Sequence, residues 1–253
     1  MSEDHWVATE PSPRRVRAVF AGAIVADSTR VLLLREARHV GVYYFPMDDV
    51  RTDLLVPTDR HTRCPYKGEA SYWSIEVGDR RAENAVWAYE DPLPERTDIK
   101  GHVAFYWHKL DQWFEEDEEV FVHPRDPHHR VDACRSSRQV RVVVGGETVA
   151  ESSHPVLVFE TGLPTRYYLP KLDVRLDLLN PTETETGCPY KGRARYWTVD
   201  AGGRRVEDAC WCYTFPTPAL TSVATHVAFF QERVDEIWVD GEQVEKPDTM
   251  WSR

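Results

Sequence analysis

Hydrophobic residues along this chain recur mostly at every second position, the period of a strand with one face buried. The stretches "ASYWSIEV" (70–77) and "ARYWTVDA" (194–201) alternate cleanly and put Trp73, Ile75 and Val77 on one face. "VRVVVGGETVAES" (140–152) reads as strand, Gly-Gly turn and strand, and "IWVDGEQVE" (237–245) as a hairpin turning at Asp240-Gly241. Long amphipathic helices are hard to find; "LDVRLDLLN" (172–180) has room for one turn or a short helix. Opposite the second hairpin in the other half of the chain, "WFEEDEEVF" (113–121) carries an acidic run. Glu115 to Glu119 are expected to form a solvated hairpin tip, not a metal site. The pattern predicts a mainly β protein.

The same words occur twice. "CPYKG" stands at residues 64–68 and 188–192, 124 positions apart, and the offset holds elsewhere. Val16-Arg17 returns at Val140-Arg141, Tyr43-Tyr44 at Tyr167-Tyr168, Trp87 at Trp211, and "HVAF" at 102–105 returns at 226–229. A period this long is a duplicated domain and not a solenoid unit. The predicted organisation is a first domain over 14–121, a linker over 122–139 and a second domain over 140–247. The linker, "VHPRDPHHRVDACRSSRQ", is rich in Pro, His, Arg and Ser and shows no hydrophobic period. Duplication also leads us to expect the two domains to pack on each other pseudo-symmetrically, as a dimer of single-repeat relatives would.

Composition narrows the partners. The 253 residues are 42% hydrophobic and carry a net charge of −11, which suits a globular protein and disfavours nucleic acid or an anionic membrane as partner. No apolar run reaches membrane-spanning length, and "MSEDHW" lacks the basic and apolar regions of a signal peptide. Five Cys without a framework spacing suggest free thiols in a reducing cytoplasm. Nine Trp and eleven Tyr point to aromatic-lined cores or pockets.

Positions kept in both copies are the candidate site. Glu83, Ala85, Trp87 and Tyr89 alternate along one expected strand face and recur as Glu207, Ala209, Trp211 and Tyr213, whereas the residues between them change. Core packing explains Trp87 equally well. Glu83 needs a cationic partner if buried, and Lys67, Arg51, Arg80, Arg81 and His102 are the retained candidates. In the pentapeptide, Pro65 restrains Cys64 and Gly68 permits a left-handed backbone, so it is expected at a loop entering a strand. Lys67 can offer a point charge to an anion. Cys64 can act as a nucleophile if Lys67 or His102 lowers its pKa. Each copy retains one Cys and one His, too few for zinc, and no cofactor motif is present.

With these residues in hand, the chain resembles the family catalogued as domain of unknown function 427, in tandem form. The motifs are "TRCPYKGEASYWSI" (62–75) with "TGCPYKGRARYWTV" (186–199), "ENAVWAYEDPLP" (83–94) with "EDACWCYTFPTP" (207–218), and "GHVAFY" (101–106) with "THVAFF" (225–230). The resemblance implies compact domains similar to the β-tent or Mss4-like group, which includes the ligand-binding domain of cereblon. The structural zinc of that group does not carry over, because its cysteines are missing here. A nucleotidyltransferase-like label attached to the family finds no acidic metal-binding pair in this chain. Three functional expectations follow. The first is a duplicated small-molecule-binding domain, with ligand contacts from Tyr66, Lys67, Tyr72, Glu83, Trp87, Tyr89 and His102 and from Tyr190, Lys191, Tyr196, Glu207, Trp211, Tyr213 and His226. The second is an enzyme of undefined reaction using Cys64 or Lys67 with His102 as acid–base partner. The third is a structural scaffold.

Overall fold

The computed structural model describes residues 5–252 and divides into two compact units, 1–126 and 127–253. The first unit contains strands β1 (Val7–Pro11), β2 (Val16–Phe20), β3 (Ala23–Ser28), β4 (Leu32–Glu36), β5 (Val42–Pro46), β6 (Leu55–Cys64), β7 (Gly68–Val77), β8 (Arg80–Ala88), β9 (His102–Phe105), β10 (Gln112–Glu115) and β11 (Glu118–Glu119). Seven of them form an antiparallel sheet in the order β1-β4-β5-β9-β8-β7-β6, and four form a smaller sheet, β11-β10-β2-β3.

The second unit repeats this strand for strand. It holds β12 (Val131–Arg135), β13 (Val140–Val144), β14 (Glu147–Ser152), β15 (Val156–Glu160), β16 (Arg166–Pro170), β17 (Leu179–Cys188), β18 (Gly192–Ala201), β19 (Arg204–Pro216), β20 (His226–Phe229), β21 (Glu236–Val239) and β22 (Glu242–Gln243). Its sheets run β12-β15-β16-β20-β19-β18-β17 and β14-β13-β21-β22, the same topology. Among the described residues helical structure is confined to short 3-10 turns, including Lys171–Asp173 and Leu176–Leu178 within the stretch expected to hold a turn.

Alternation explains which face of each large sheet is buried where. Ile75 from β7, Val86 from β8, Phe45 from β5 and Val103 and Phe105 from β9 point inward. There they meet Val16, Ala18 and Phe20 of β2 and Trp113 of β10, so the core of the unit lies between its two sheets. Trp73 and Val77 join the same cluster, on the face their alternation predicts. Both expected hairpins form: Gly145 and Gly146 turn with φ of 60° and 75°, and Asp240 and Gly241 with 53° and 86°. Positive φ at both central residues is what the twist of a two-residue hairpin demands.

Three expectations change. The stretch expected to link the domains contains β12, whose Val131–Arg135 pairs with β15, and the units divide at Asp126/Pro127. Its polar composition hid a strand that lies at a sheet edge, where alternation is weak because little of it is buried. The acidic run is only partly solvated. Asp117 is at the tip, but Glu115 is buried and accepts hydrogen bonds from the Tyr43 hydroxyl at 2.8 Å and Arg14 Nη1 at 2.6 Å. A carboxylate can be buried there because a guanidinium and a phenol satisfy it. The third change, in β8, bears on the site.

Candidate functional site

The pentapeptide is a hairpin turn. The polar run before it, Leu55–Cys64, is itself strand β6, and Cys64 pairs with Gly68 across the turn. Pro65-Tyr66-Lys67 form the loop. Gly68 has φ of +107° and Gly192 +105°, a region that L side chains avoid. The loop is pinned from the side, since Leu93 N–H donates to the Lys67 carbonyl at 3.0 Å and Thr217 N–H to that of Lys191 at 3.2 Å.

Lys67 is buried and its ammonium meets the Glu36 carboxylate at the end of β4. The other carboxylate oxygen accepts from His5 Nε2 at 3.0 Å, and the His5 ring stacks on Tyr66 with centroids 3.7 Å apart. An ionised carboxylate only accepts, so this contact places the imidazole proton on Nε2. Burial alone would raise the Glu36 pKa, but the Lys67 hydrogen bond and charge outweigh it and hold the group below its ordinary value. The second copy builds the same corner from Lys191, Glu160 and His129, with His129 Nε2 to Glu160 at 3.1 Å and His129 stacked on Tyr190 at 4.4 Å.

Beside this corner, the outer face of the large sheet carries rings. Tyr44, Tyr72 and Tyr89 cluster there with Leu34, Ala70, Ile99 and Ala104, and Cys64, Trp87 and Tyr106 pack against them partly buried. Trp87 Nε1 donates to the Tyr44 hydroxyl at 3.3 Å, and Trp87 and Tyr106 lie 4.5 Å apart at 43°. The Tyr72 hydroxyl is 2.8 Å from that of Thr62. Burial, then a hydrogen bond with Tyr72, pushes the Tyr106 pKa up to about 12. Tyr196, Trp211 and Tyr213 occupy the corresponding face in the second unit with Tyr168, Ala194, Ala228 and Phe230. Trp211 Nε1 donates to Tyr168 at 3.0 Å.

Glu83 does not join the corner. Between the pairs Trp73↔Val86 and Ile75↔Ala82, the three residues 83–85 stand opposite Ser74 alone. Asn84 takes φ of 48° there, with its N–H on Ser74 Oγ at 3.0 Å and Thr58 Oγ1 on its Oδ1 at 2.7 Å. This bulge breaks the alternation on which the common face rested. Ala85 turns into the inner core, Trp87 and Tyr89 face outward, and Glu83 is exposed. Glu207 is likewise exposed in a matching bulge opposite Thr198. The cations offered as partners for Glu83 pair elsewhere: Lys67 with Glu36, Arg51 with Asp53, Arg80 with Asp111 and Arg81 with Glu76.

His102 opens β9 and its Nδ1–H donates to the Lys100 carbonyl at 3.1 Å. Among the described residues no hydrogen bond joins it to Lys67 or Cys64. In the second copy, burial and then the charge of Arg135 lower the His226 pKa. All five cysteines are free thiols. Burial raises the Cys188 pKa against the opposing pull of Lys191, so in that copy the turn does not create a thiolate.

His5, Glu36, Tyr44 and Tyr106 are the residues that sequence reasoning passed over. The 124-residue offset reaches three of them, because His5 matches His129, Glu36 matches Glu160 and Tyr44 matches Tyr168. The first two lie where few neighbouring residues repeat.

No helix is long and apolar enough to cross a membrane among the described residues. No curated protein matches the chain. A family model for a domain of unknown function (DUF427) matches twice, over residues 8–116 and 132–240. The two matches are offset by the same 124 positions and together cover most of both units, so the chain belongs to that family, as a tandem member.

Proposed function

We propose that the protein is a duplicated small-molecule-binding β domain whose ligand lies on the outer aromatic face of the large sheet. One observation carries this reading. Tyr72, Trp87 and Tyr106 stand beside the small residues Ala70 and Ala104, and Trp87 and Tyr106 remain partly exposed in spite of their size. Large rings around small residues make an uneven apolar surface with polar tips, the usual composition of a ligand site. Lys67, Glu36 and His5 form its rigid polar border. Because Lys67 is already neutralised, it orients the Tyr66 turn and does not serve as a free anion receptor.

The test is a thermal-shift screen against planar and heterocyclic metabolites, followed by NMR mapping of hits. A ligand present at a hundredfold over its Kd raises stability by about 2.7 kcal/mol. Hits should vanish in Tyr106→Ala and persist in Glu83→Gln. A screen without hits, or hits indifferent to Tyr106→Ala, would sink the reading. For the thiol-enzyme alternative, the His102 Nδ1–H is spent on the Lys100 carbonyl, and among the described residues no hydrogen bond joins His102 to Cys64 or Lys67.

A further inference from the structure

The ring pair Trp87–Tyr106 has a near-identical twin in Trp211–Phe230, at 4.4 Å and 42°. Yet Trp87 and Tyr106 are partly exposed, whereas Trp211 and Phe230 retain only 6% and 5% of their surface. Two groups that the first copy lacks lie against this pair, Arg166 and Trp251. Trp251 packs on the second copy's outer face, its ring 6.1 Å from that of Phe230. The Arg166 guanidinium lies 5.3 Å from the Trp251 ring and also faces Trp211 and Phe230. Arg166 is held in a bidentate pair with Glu232 at 2.7 and 2.6 Å, and Thr249 Oγ1 donates to the same carboxylate at 2.6 Å. Nothing of the Glu232 side chain is exposed. In the first copy Val42 and His108 stand where Arg166 and Glu232 stand, so this latch is missing.

The open face has its own charges. Arg60 lies 4.9 Å over the Tyr72 ring and Lys109 5.0 Å over that of Tyr106. Among the described residues Lys109 donates to the carbonyls of Glu83 and Asn84. Among the described residues neither cation has a carboxylate partner, in a protein of net charge −11. Two cations without a carboxylate partner, one over buried Tyr72 and one over part-exposed Tyr106, favour a flat ligand that carries negative charge.

Resting on the binding reading above, we propose that the two copies are not equivalent: the first binds a planar aromatic anion, and the second is closed by Trp251, which occupies the matching face as a tethered ligand. Tail release would open a second site. That site would be weaker, because it keeps Arg233 over Phe230 but has Thr184 in place of Arg60.

The experiment is calorimetric titration with 2-naphthalenesulfonate, with neutral 2-naphthol as control. It is run on the full chain, on Trp251→Ala and on a chain ending at Pro247, each checked for folding by near-UV dichroism. The full chain should bind one sulfonate, and both tail variants two. Tyr106→Ala should remove the site of the full chain, and Arg60→Gln should weaken it about fivefold, the worth of one exposed charge contact. Equal stoichiometry in the full chain and the tail variants overturns the plug. Binding by the tail variants alone overturns the assignment of the open site to the first copy. If sulfonate and naphthol bind alike, the anionic class fails while the binding reading stands. If neither probe binds and the metabolite screen is also empty, the binding reading itself has failed.

Discussion

Substituting Lys67 by Met tests the polar corner directly. The Lys67 and Glu36 side chains are 8% and 13% exposed, so most of their solvation is already lost. Two charges about 3 Å apart attract by about 5 kcal/mol at an effective dielectric of 20, and desolvation cancels part of that. Removing Lys67 leaves the Glu36 carboxylate with His5 alone, a loss of about 3 kcal/mol. In a unit of this size that lowers Tm by about 10 °C. Calorimetry of the whole chain should show the transition of one unit shifting while that of the other stays, and Lys191→Met should do the reverse. The pH dependence supplies the sharper sign. In the wild type, Glu36 titrates below its unfolded value, so the pair's stability is present above the unfolded pKa of about 4.5 and is lost as pH falls through the folded one. In the variant, burial acts without Lys67, the folded carboxyl rises above its unfolded value, and acid relieves the penalty. The gap between wild type and variant should therefore narrow from pH 7 to pH 4. A gap below about 1 kcal/mol, or one indifferent to pH, would refute the reasoning, and Lys67→Met with Glu36→Leu should recover most of the loss.

Gly192→Ala should destabilise its unit more than Gly68→Ala does, by about 1 kcal/mol beyond the shared cost of positive φ. A Cβ on Gly192 would stand 2.9 Å from the Phe215 carbonyl oxygen, against 3.4 Å from Leu93 N for Gly68; equal midpoint shifts in denaturant would contradict this. Iodoacetamide at pH 8 should label exposed Cys134 first and leave buried Cys210 and Cys212 untouched in folded protein, with Cys188 slow because burial raises its pKa; peptide mass spectrometry reads the order. Glu115→Ala should cost about 2 kcal/mol by stranding the buried Tyr43 hydroxyl, and Tyr43→Phe should cost less; if the alanine variant melts like wild type, the tip is as solvated as its sequence suggests.

Much of the fold was readable because a duplication is a pattern of identities and needs no energy calculation. Period-two alternation also placed Ile75 and Trp73 correctly, since β7 keeps its own period and the extra residues at its register breaks lie in β6 and β8. Where prediction failed, local backbone overrode the pattern. The bulge at Asn84 inserts residues into β8 without any sequence mark beyond an Asn, and every side chain before it changes its relation to those after it. Edge strand β12 buries too little to show a period. Glu115 looked solvated because its partners, Arg14 and Tyr43, are 101 and 72 residues away.

What the two copies retain also has a different meaning once the contacts are known. Retention was the reason to suspect Lys67, but the His–Glu–Lys corner is kept because it holds three chain segments together in each unit: the segment leading into the first strand, the end of the fourth, and the pentapeptide turn. A clamp needed by the fold must persist in both copies, whatever each copy binds. The substitutions around the ring pair behave differently: Val42 against Arg166, Arg60 against Thr184, Tyr106 against Phe230 and His108 against Glu232 all fall on or beside one face. A duplicated domain can divide labour only where its copies differ. The search for function in this chain therefore belongs on the divergent face, with the shared pentapeptide as the frame that holds it.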